Sequence, residues 1–211
     1  ELRIYDTAFD ANTADTGAAI ASINGQADLQ RNTFSVNHAL TYGGGLALID
    51  HAIFDVTNNT FDGNRAIYGG AIALGNPPDF PLFAINYTPG DAVFNGYNLT
   101  ISDNQAAANL GGGIYNQGNA SVTLYNVLFS ENSGFGCAGL LSGNNNMSSD
   151  ASCVINGLNN FSNEDALLGA LVYDGGLTMT RTLLPGSPAI DAGAGNGPII
   201  PSSDQRGVHR P

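Results

Sequence analysis

The sequence predicts an all-β fold, a right-handed parallel β-helix (β-solenoid) of about six coils with two inserted loops. Three observations favour it. A short motif recurs in register along most of the chain, apolar and polar residues alternate with a period of two, and each repeat is too short to bury an apolar face without stacked neighbours. We expect a single β-helix domain over residues 1–211, with repeat coils in 1–182 and an extended tail rich in Pro and Gly in 183–211.

The recurring motif pairs Phe-x-x-Asn with a glycine-rich apolar segment. The clearest copy is Phe61-Asp-Gly-Asn64, which is followed by Gly69-Gly-Ala-Ile72. Other copies begin at Phe9, Phe34, Ile101 and Phe129, and a decayed copy is expected at Phe161-Ser-Asn-Glu164 with Leu168-Gly-Ala-Leu171. The steps between copies are roughly 25, 27, 40, 28 and 32 residues, which is the range typical of solenoids.

The two longest steps contain the predicted inserted loops. The first loop spans the Pro-rich stretch 76–83 and the turn signal Thr88-Pro-Gly-Asp91. The second is the polar stretch from Ser142 to Asp150.

Within each repeat the pattern is that of short strands. Segments such as Ser121–Phe129 alternate between apolar and polar residues, and no stretch shows a helical apolar stripe. In stacked coils, equivalent positions form columns about 4.8 Å apart. We therefore expect an interior column of Phe9, Phe34, Phe61, Ile101 and Phe129, and a hydrogen-bonded turn column of Asn12, Asn37, Asn64, Asn104 and Asn132. Both columns are predicted to stabilise the fold rather than to bind a ligand.

The paired motif resembles the repeat of the chlamydial polymorphic outer-membrane proteins, over roughly residues 9–171. That resemblance implies a β-helical surface adhesin. The C-terminal stretch from Asp174 to Gly193, with Ser203 to Pro211, is similar to the closing segment of bacterial secreted β-helix proteins of the choice-of-anchor Q class. The second resemblance implies a bacterial protein that is extracellular or at the cell surface.

Composition and charge restrict the classes of partner. The chain has 18 acidic residues, six arginines and no lysine, for a formal net charge of −12. A surface this acidic repels nucleic acid and anionic membranes. No apolar run reaches membrane-spanning length, so we expect no membrane insertion, and we expect any export signal to have been removed. No cofactor is predicted.

Two further features suit an extracellular protein. Cys137 and Cys153 flank the second predicted loop, so we expect them to close it as a disulfide in an oxidising compartment, with two buried free thiols as the alternative. Asn-x-Ser/Thr acceptors for glycosylation occur at Asn58, Asn86, Asn98, Asn119, Asn146 and Asn160.

Enzyme activity is the main alternative, because cleavage of polysaccharides requires facing carboxylates or a calcium site with a base. The candidate acids are Asp50, Asp55, Asp62 and Asp103, with Arg65 as the one basic residue in a repeat near acids. Asp50-His51 is the only adjacent acid and imidazole. The sequence gives no sign that these groups converge. The three histidines, His38, His51 and His209, lack metal-ligand spacing.

These observations predict a secreted or surface β-helix, not an enzyme, with a structural or adhesive role. We expect residues 1–8 or the tail to cross to another copy and build a head-to-tail filament. A host surface or glycan is the other expected partner. The alternatives are a monomeric adhesin fragment of a longer surface protein, and a polysaccharide lyase or glycoside hydrolase.

Overall fold

The computed structural model describes residues 1–75, 92–118, 120–195 and 201–210, and its regular structure is entirely β-strand. The described residues form seven stacked coils, one more than the sequence predicts. Nearly all pairs between coils are parallel, so the predicted parallel β-helix is confirmed.

Three sheets form the walls of the coils. Sheet 1 contains β1 (Leu2–Tyr5), β5 (Gln26–Gln30), β9 (Ile53–Thr57), β12 (Val93–Tyr97), β15 (Ser121–Tyr125), β18 (Leu141–Asn144) and β20 (Ile155–Asn156). Sheet 2 contains β2 (Ala8–Asp10), β6 (Thr33–Ser35), β10 (Thr60–Asp62), β13 (Thr100–Ser102), β16 (Leu128–Ser130), β19 (Met147–Ser148) and β21 (Phe161–Ser162). Sheet 3 is shorter and contains β4 (Ile20–Ile23), β8 (Leu46–Ile49), β11 (Ile72–Leu74), β14 (Ile114–Asn116) and β17 (Cys137–Ala138).

Two further strand pairs lie outside these sheets. The strands β3 (Thr13–Thr16) and β7 (His38–Tyr42) pair in parallel at a corner of the first two coils. The strands β22 (Leu168–Val172) and β23 (Thr180–Leu183) form an antiparallel hairpin after the last coil. None of the residues described belongs to a helix with the length and hydropathy needed to cross a membrane.

The interior is a set of apolar columns in strict register. In sheet 2, Phe9, Phe34, Phe61, Ile101 and Phe129 pair in successive strands. The rings of Phe34 and Phe61 stack with centroids 4.6 Å apart and planes 5° apart. This spacing matches the distance between neighbouring strands, so each column contributes one side chain per coil to the core.

The glycine pairs let neighbouring coils approach closely at the corner before sheet 3. A Cβ atom on Gly70 would lie 2.5 Å from the carbonyl oxygen of Gly112 and 2.6 Å from that of Gln105. Only glycine fits at such a distance, because the obstructing atoms belong to the backbone of the next coil.

The prediction of a second inserted loop is wrong, because the stretch from Ser142 to Asp150 forms a short coil. Within it, β18 pairs with β15 of sheet 1, and β19 pairs with β16 of sheet 2. The last two coils have no strand in sheet 3, and only 14 residues separate the equivalent Asn146 and Asn160. The solenoid therefore narrows towards its last coil. The first predicted loop, at 76–83 and 88–91, lies outside the described residues.

The decayed sixth copy of the motif is also assigned wrongly from sequence. Phe161 pairs with Met147, which pairs with Leu128, so it continues an outward column and not the Phe129 column. Its side chain is 48% exposed. Leu168 to Leu171 belong to the hairpin of β22 and β23 and not to a coil.

Strand β1 and the described residues after Ser162, hereafter the tail, make contacts within their own chain. Strand β1 pairs with β5 of the same chain. The tail folds back along sheet 2, where Thr33 donates a hydrogen bond to the carbonyl oxygen of Met179 and Asn58 donates one to that of Ser203. The coils end at Ser162, and the tail covers the outer face of sheet 2.

Candidate functional site

The predicted asparagine column is a continuous hydrogen-bonded ladder. The Asn64 side chain accepts from the backbone and side-chain nitrogens of Asn37, and donates to Asn104 and to the carbonyl oxygen of Phe34. The same pattern links Asn12 to Asn37 and Asn104 to Asn132. These amides are saturated by the fold, so the ladder has a structural role and offers little to a ligand.

A second ladder at the turn between sheets 1 and 2 escaped the sequence analysis. Asn32 and Asn59 are linked in the first coils, and Asn146 and Asn160 in the last two. In the two coils between these pairs, Leu99 and Val127 occupy the equivalent positions and have no side-chain amide. The backbone N–H of Val127 still donates a hydrogen bond to Asn146. The interruption hid the period. A search for Asn immediately before each sheet 2 strand would have found it in part.

A disulfide joins Cys137 in sheet 3 to Cys153 before the seventh coil, with Cα atoms 4.7 Å apart. It lies where the last strand of sheet 3 ends. Next to it, Asp150 accepts hydrogen bonds from the backbone of Gly136 and from Ser152. The bridge therefore fixes the point at which the solenoid narrows.

In the folded chain, the side-chain nitrogens of the asparagines in the described glycosylation sequences are buried or donate hydrogen bonds. Asn146 is 1% exposed, and its side-chain nitrogen donates to Leu124 and Asn160. The side-chain nitrogens of Asn58 and Asn160 also donate within the chain, and that of Asn98 is shielded from water. The folded structure therefore argues against glycan attachment at these four residues. Asn86 and Asn119 lie outside the described residues.

The four candidate catalytic aspartates lie on three separate faces. Asp50 contacts His51 at 2.7 Å in the turn before β9, and Asp55 faces outwards from sheet 1, where Asn95 donates to it. Only Asp62 and Asp103 come together, because both form ion pairs with Arg181 of the tail. These two carboxylates attach β23 to the coils.

The remaining candidate residues also lie apart. Arg65 pairs through its backbone with His38 on one side and Gln105 on the other, along the outer corner of the coils. His209 is an exposed residue of the tail. Among the described residues, no group of three or more His, Cys, Asp or Glu side chains could hold a metal ion.

The best candidate site is a cleft of about 620 Å³ between the tail and sheet 2, hereafter the tail cleft. Its floor is the outward column of sheet 2, which consists of Thr60, Thr100, Leu128, Met147 and Phe161. These five residues belong to successive coils. The cleft therefore runs along the axis of the solenoid for four strand spacings, or about 19 Å.

The tail supplies both walls of the cleft. On one side, β23 is held to the coils by Arg181 and its two aspartates. On the other side, the Asn126 side chain accepts a hydrogen bond of 2.9 Å from the backbone N–H of Ala194. It also donates a hydrogen bond to the carbonyl oxygen of Ala194. Near the third coil, Gln205 hydrogen-bonds to Thr60 and Thr178.

Fixed charges line this cleft. Arg206 lies between Asp174 at 2.6 Å and Asp204 at 2.8 Å, and the hydrogen bond with Asp204 raises the pKa of the guanidinium. Arg210 differs, because burial lowers its pKa and only the more distant charge of Asp204 opposes this. It makes no ion pair with another described residue, although its Nη2 atom donates to Asn58 at 3.1 Å.

Two buried nitrogens of residues lining the cleft have no hydrogen-bond partner in the described chain. They are Nε of Arg210 and Nδ2 of Asn98. Since a buried donor without an acceptor costs free energy, these atoms are candidate contacts for a ligand oxygen or a water molecule. Sequence reasoning missed the site because its residues come from different coils and from the tail. Its only signal was that three of the six arginines lie beyond residue 180.

One comparison with known proteins bears on this architecture. The family model described as the Chlamydia polymorphic membrane protein (Chlamydia_PMP) repeat matches residues 98–117. The matched stretch runs from the turn before β13 to the end of β14 and contains Ile101, Asn104 and the glycines 111–113, so it includes both halves of the recurring motif. No match is found among curated proteins or solved structures. The match supports the resemblance of these coils to that repeat.

Proposed function

We propose that this protein is an extracellular or cell-surface β-helix with a structural and adhesive role, and that it binds its ligand in the tail cleft. The observation that carries the proposal is the match of residues 98–117 to a repeat named for a membrane protein. That stretch lies in one coil of a register that continues on both sides. The matched repeat thus shares its register with the coils on either side of it.

Two features support placement outside the cytoplasm. The disulfide between Cys137 and Cys153 is typical of proteins in oxidising compartments. The saturated amide ladders and the stacked core give a stiff support, which suits a protein that presents a binding surface to its surroundings.

Labelling of intact cells tests the location. Antibodies raised against the purified chain should label unpermeabilised cells of the source organism, and external protease should remove the signal while a cytoplasmic marker stays intact. Labelling that requires permeabilisation would rule out a surface location.

Attachment of coated beads tests the adhesive role. Beads coated with the purified chain should attach to cultured epithelial cells more often than beads coated with albumin. Equal attachment of the two kinds of bead would remove adhesion to such cells from the proposal.

Two expectations from the sequence stay predictions. Head-to-tail association through residues 1–8 or the tail stays a prediction, because β1 is the end strand of sheet 1 and pairs with β5 on one edge. Sedimentation at high concentration measures whether copies associate. Lack of polysaccharide cleavage is checked by assaying the release of reducing ends from acidic polysaccharides with and without calcium.

A further inference from the structure

We propose that the tail cleft binds a neutral oligosaccharide, which lies lengthwise over the outer face of sheet 2. This deepens the proposed function and rests on it for the extracellular setting. The argument itself uses the shape, hydrogen-bonding groups and charge of the cleft.

The shape of the cleft suits a linear ligand. Its floor follows one column of side chains through five successive coils, from Thr60 to Phe161, a length of about 19 Å. A compact ligand would occupy one or two coils and leave the rest empty. A short polymer that lies parallel to the solenoid axis would contact the accessible floor residues Thr100, Leu128 and Phe161. Thr60 and Met147 are covered, at 1% and 4% exposure.

The walls offer planar donors and acceptors in fixed positions. Arg206, Asp174 and Asp204 hold one another by ion pairs, so their orientation is set before a ligand arrives. A sugar hydroxyl donates one hydrogen bond and accepts others, so it can be bound by a carboxylate and a guanidinium together. Side chains that are already ordered also lose less entropy on binding.

The two unpartnered nitrogens lie in side chains that line this same cleft. Nδ2 of Asn98 and Nε of Arg210 have no acceptor among the described residues. An oligosaccharide in the cleft would lie beside both side chains. Hydroxyl and ring oxygens would then supply the acceptors that the fold does not provide.

Phe161 supplies the apolar contact that a sugar ring requires. It lies outside the core column, lines the cleft and is 48% exposed. The apolar face of a pyranose ring covers an aromatic face and removes it from water. This contact lies at the end of the floor opposite Thr60.

Charge favours a neutral ligand over an acidic one. Three aspartates and three arginines line the cleft, so its own formal charge is balanced, whereas the whole chain carries a formal charge of −12. The aspartates are Asp174, Asp191 and Asp204. A polyanionic chain would be repelled at long range and would meet these carboxylates at short range.

Titration calorimetry with defined oligosaccharides tests the proposal. Cellohexaose, maltohexaose and mannohexaose are the neutral probes, and hexagalacturonate is the acidic comparator. We expect at least one neutral probe to bind the full chain. Phe161→Ala and Arg210→Met should each weaken that binding by about tenfold. Phe135→Ala is the matched control, because Phe135 is 50% exposed and lies outside the cleft.

Each outcome of these measurements either supports or overturns the proposal. If no neutral probe binds, or if Phe161→Ala and Arg210→Met both bind as the parent does, the proposal is overturned. Tighter binding of hexagalacturonate than of every neutral probe overturns the ligand class. Thermal melts of each variant check that the coils remain folded. Calorimetry uses the purified chain and cell labelling uses intact cells, so failure of one proposal is distinguishable from failure of the other.

Discussion

At the scale of single residues, amide ladders hold the coils in register. Asn64 is fully buried, and its side chain satisfies polar groups in the coil before it and in the coil after it. Replacing it leaves several of these groups unpaired inside the protein, where water cannot compensate.

Asn64→Ala should therefore lower the free energy of unfolding by about 3 kcal/mol. The matched control is Asn95→Ala on the outer face of sheet 1, where the side chain donates to Asp55 alone. The control should change stability by less than about 0.5 kcal/mol. Urea denaturation measures both values. Equal effects of the two substitutions would show that the ladder does not carry this stability.

Residue patterns in the sequence predicted the first ladder because Phe-x-x-Asn and the glycine-rich segment recur in the same order through five copies, with one longer step between the third and the fourth. The same pattern misplaced Phe161, because Phe-Ser-Asn imitates the motif in a coil that is much shorter. Register depends on how many residues precede the strand, and a one-residue shift moves a side chain from the interior to the outside. The pairing of Phe161 with Met147 shows that shift.

At the scale of elements, the hairpin of β22 and β23 is attached to the coils by few groups. Arg181 connects β23 to Asp62 in β10 and to Asp103 after β13, and it also donates to the carbonyl oxygen of Gly169. An arginine that bridges two carboxylates in a partly buried place fixes orientation as well as distance.

Arg181→Met should release the hairpin while the coils stay folded. Digestion with chymotrypsin should then cut within 163–210 at least about tenfold faster than in the parent, because the opened form is more populated. The matched control is Arg31→Met, which removes the ion pair with Asp6 on the coils but leaves the tail contacts intact. Mass spectrometry locates the cuts. Unchanged digestion of the Arg181 variant would mean that other contacts hold the tail.

The elements that sequence reasoning missed are those that break the repeat. The stretch from Ser142 to Asp150 is polar and turn-rich, yet Gly143 and Ser148 are buried, where they continue the columns of Leu124 in sheet 1 and Phe129 in sheet 2. A coil of this length leaves no room for a strand in sheet 3, so it carries only part of the motif. The placement of the tail could not be read from the sequence either, because its contacts with Thr33 and Asn58 join residues about 145 positions apart.

At the scale of the whole molecule, two electrostatic effects act in opposite directions as the pH falls. The net charge of −12 creates repulsion that declines as carboxylates take up protons towards the isoelectric point near 4.1. The carboxylates of Asp6 and Asp150 have the opposite effect on stability, because the folded state favours their charged form. The hydrogen bond from Arg31 lowers the pKa of Asp6 below its usual 3.8. For Asp150, burial raises the pKa, but hydrogen bonds from Ser152, Gly136 and Ser148 together outweigh it, so the net shift is downward from 3.8.

These pKa shifts determine whether stability rises or falls in acid. Because both groups have a lower pKa in the folded state, the unfolded chain binds more protons below pH 3.8, and stability falls there as the pH decreases. Stability should therefore change little or rise slightly from pH 7 towards the isoelectric point, and then drop below pH 3.8. Asp150→Asn keeps the shape of the side chain but removes its titration, so it should lower stability at pH 7 and flatten the acid slope. Urea denaturation at closely spaced pH values measures both slopes. If the variant loses stability below pH 3.8 as steeply as the parent does, the Asp150 cluster does not contribute to the acid response.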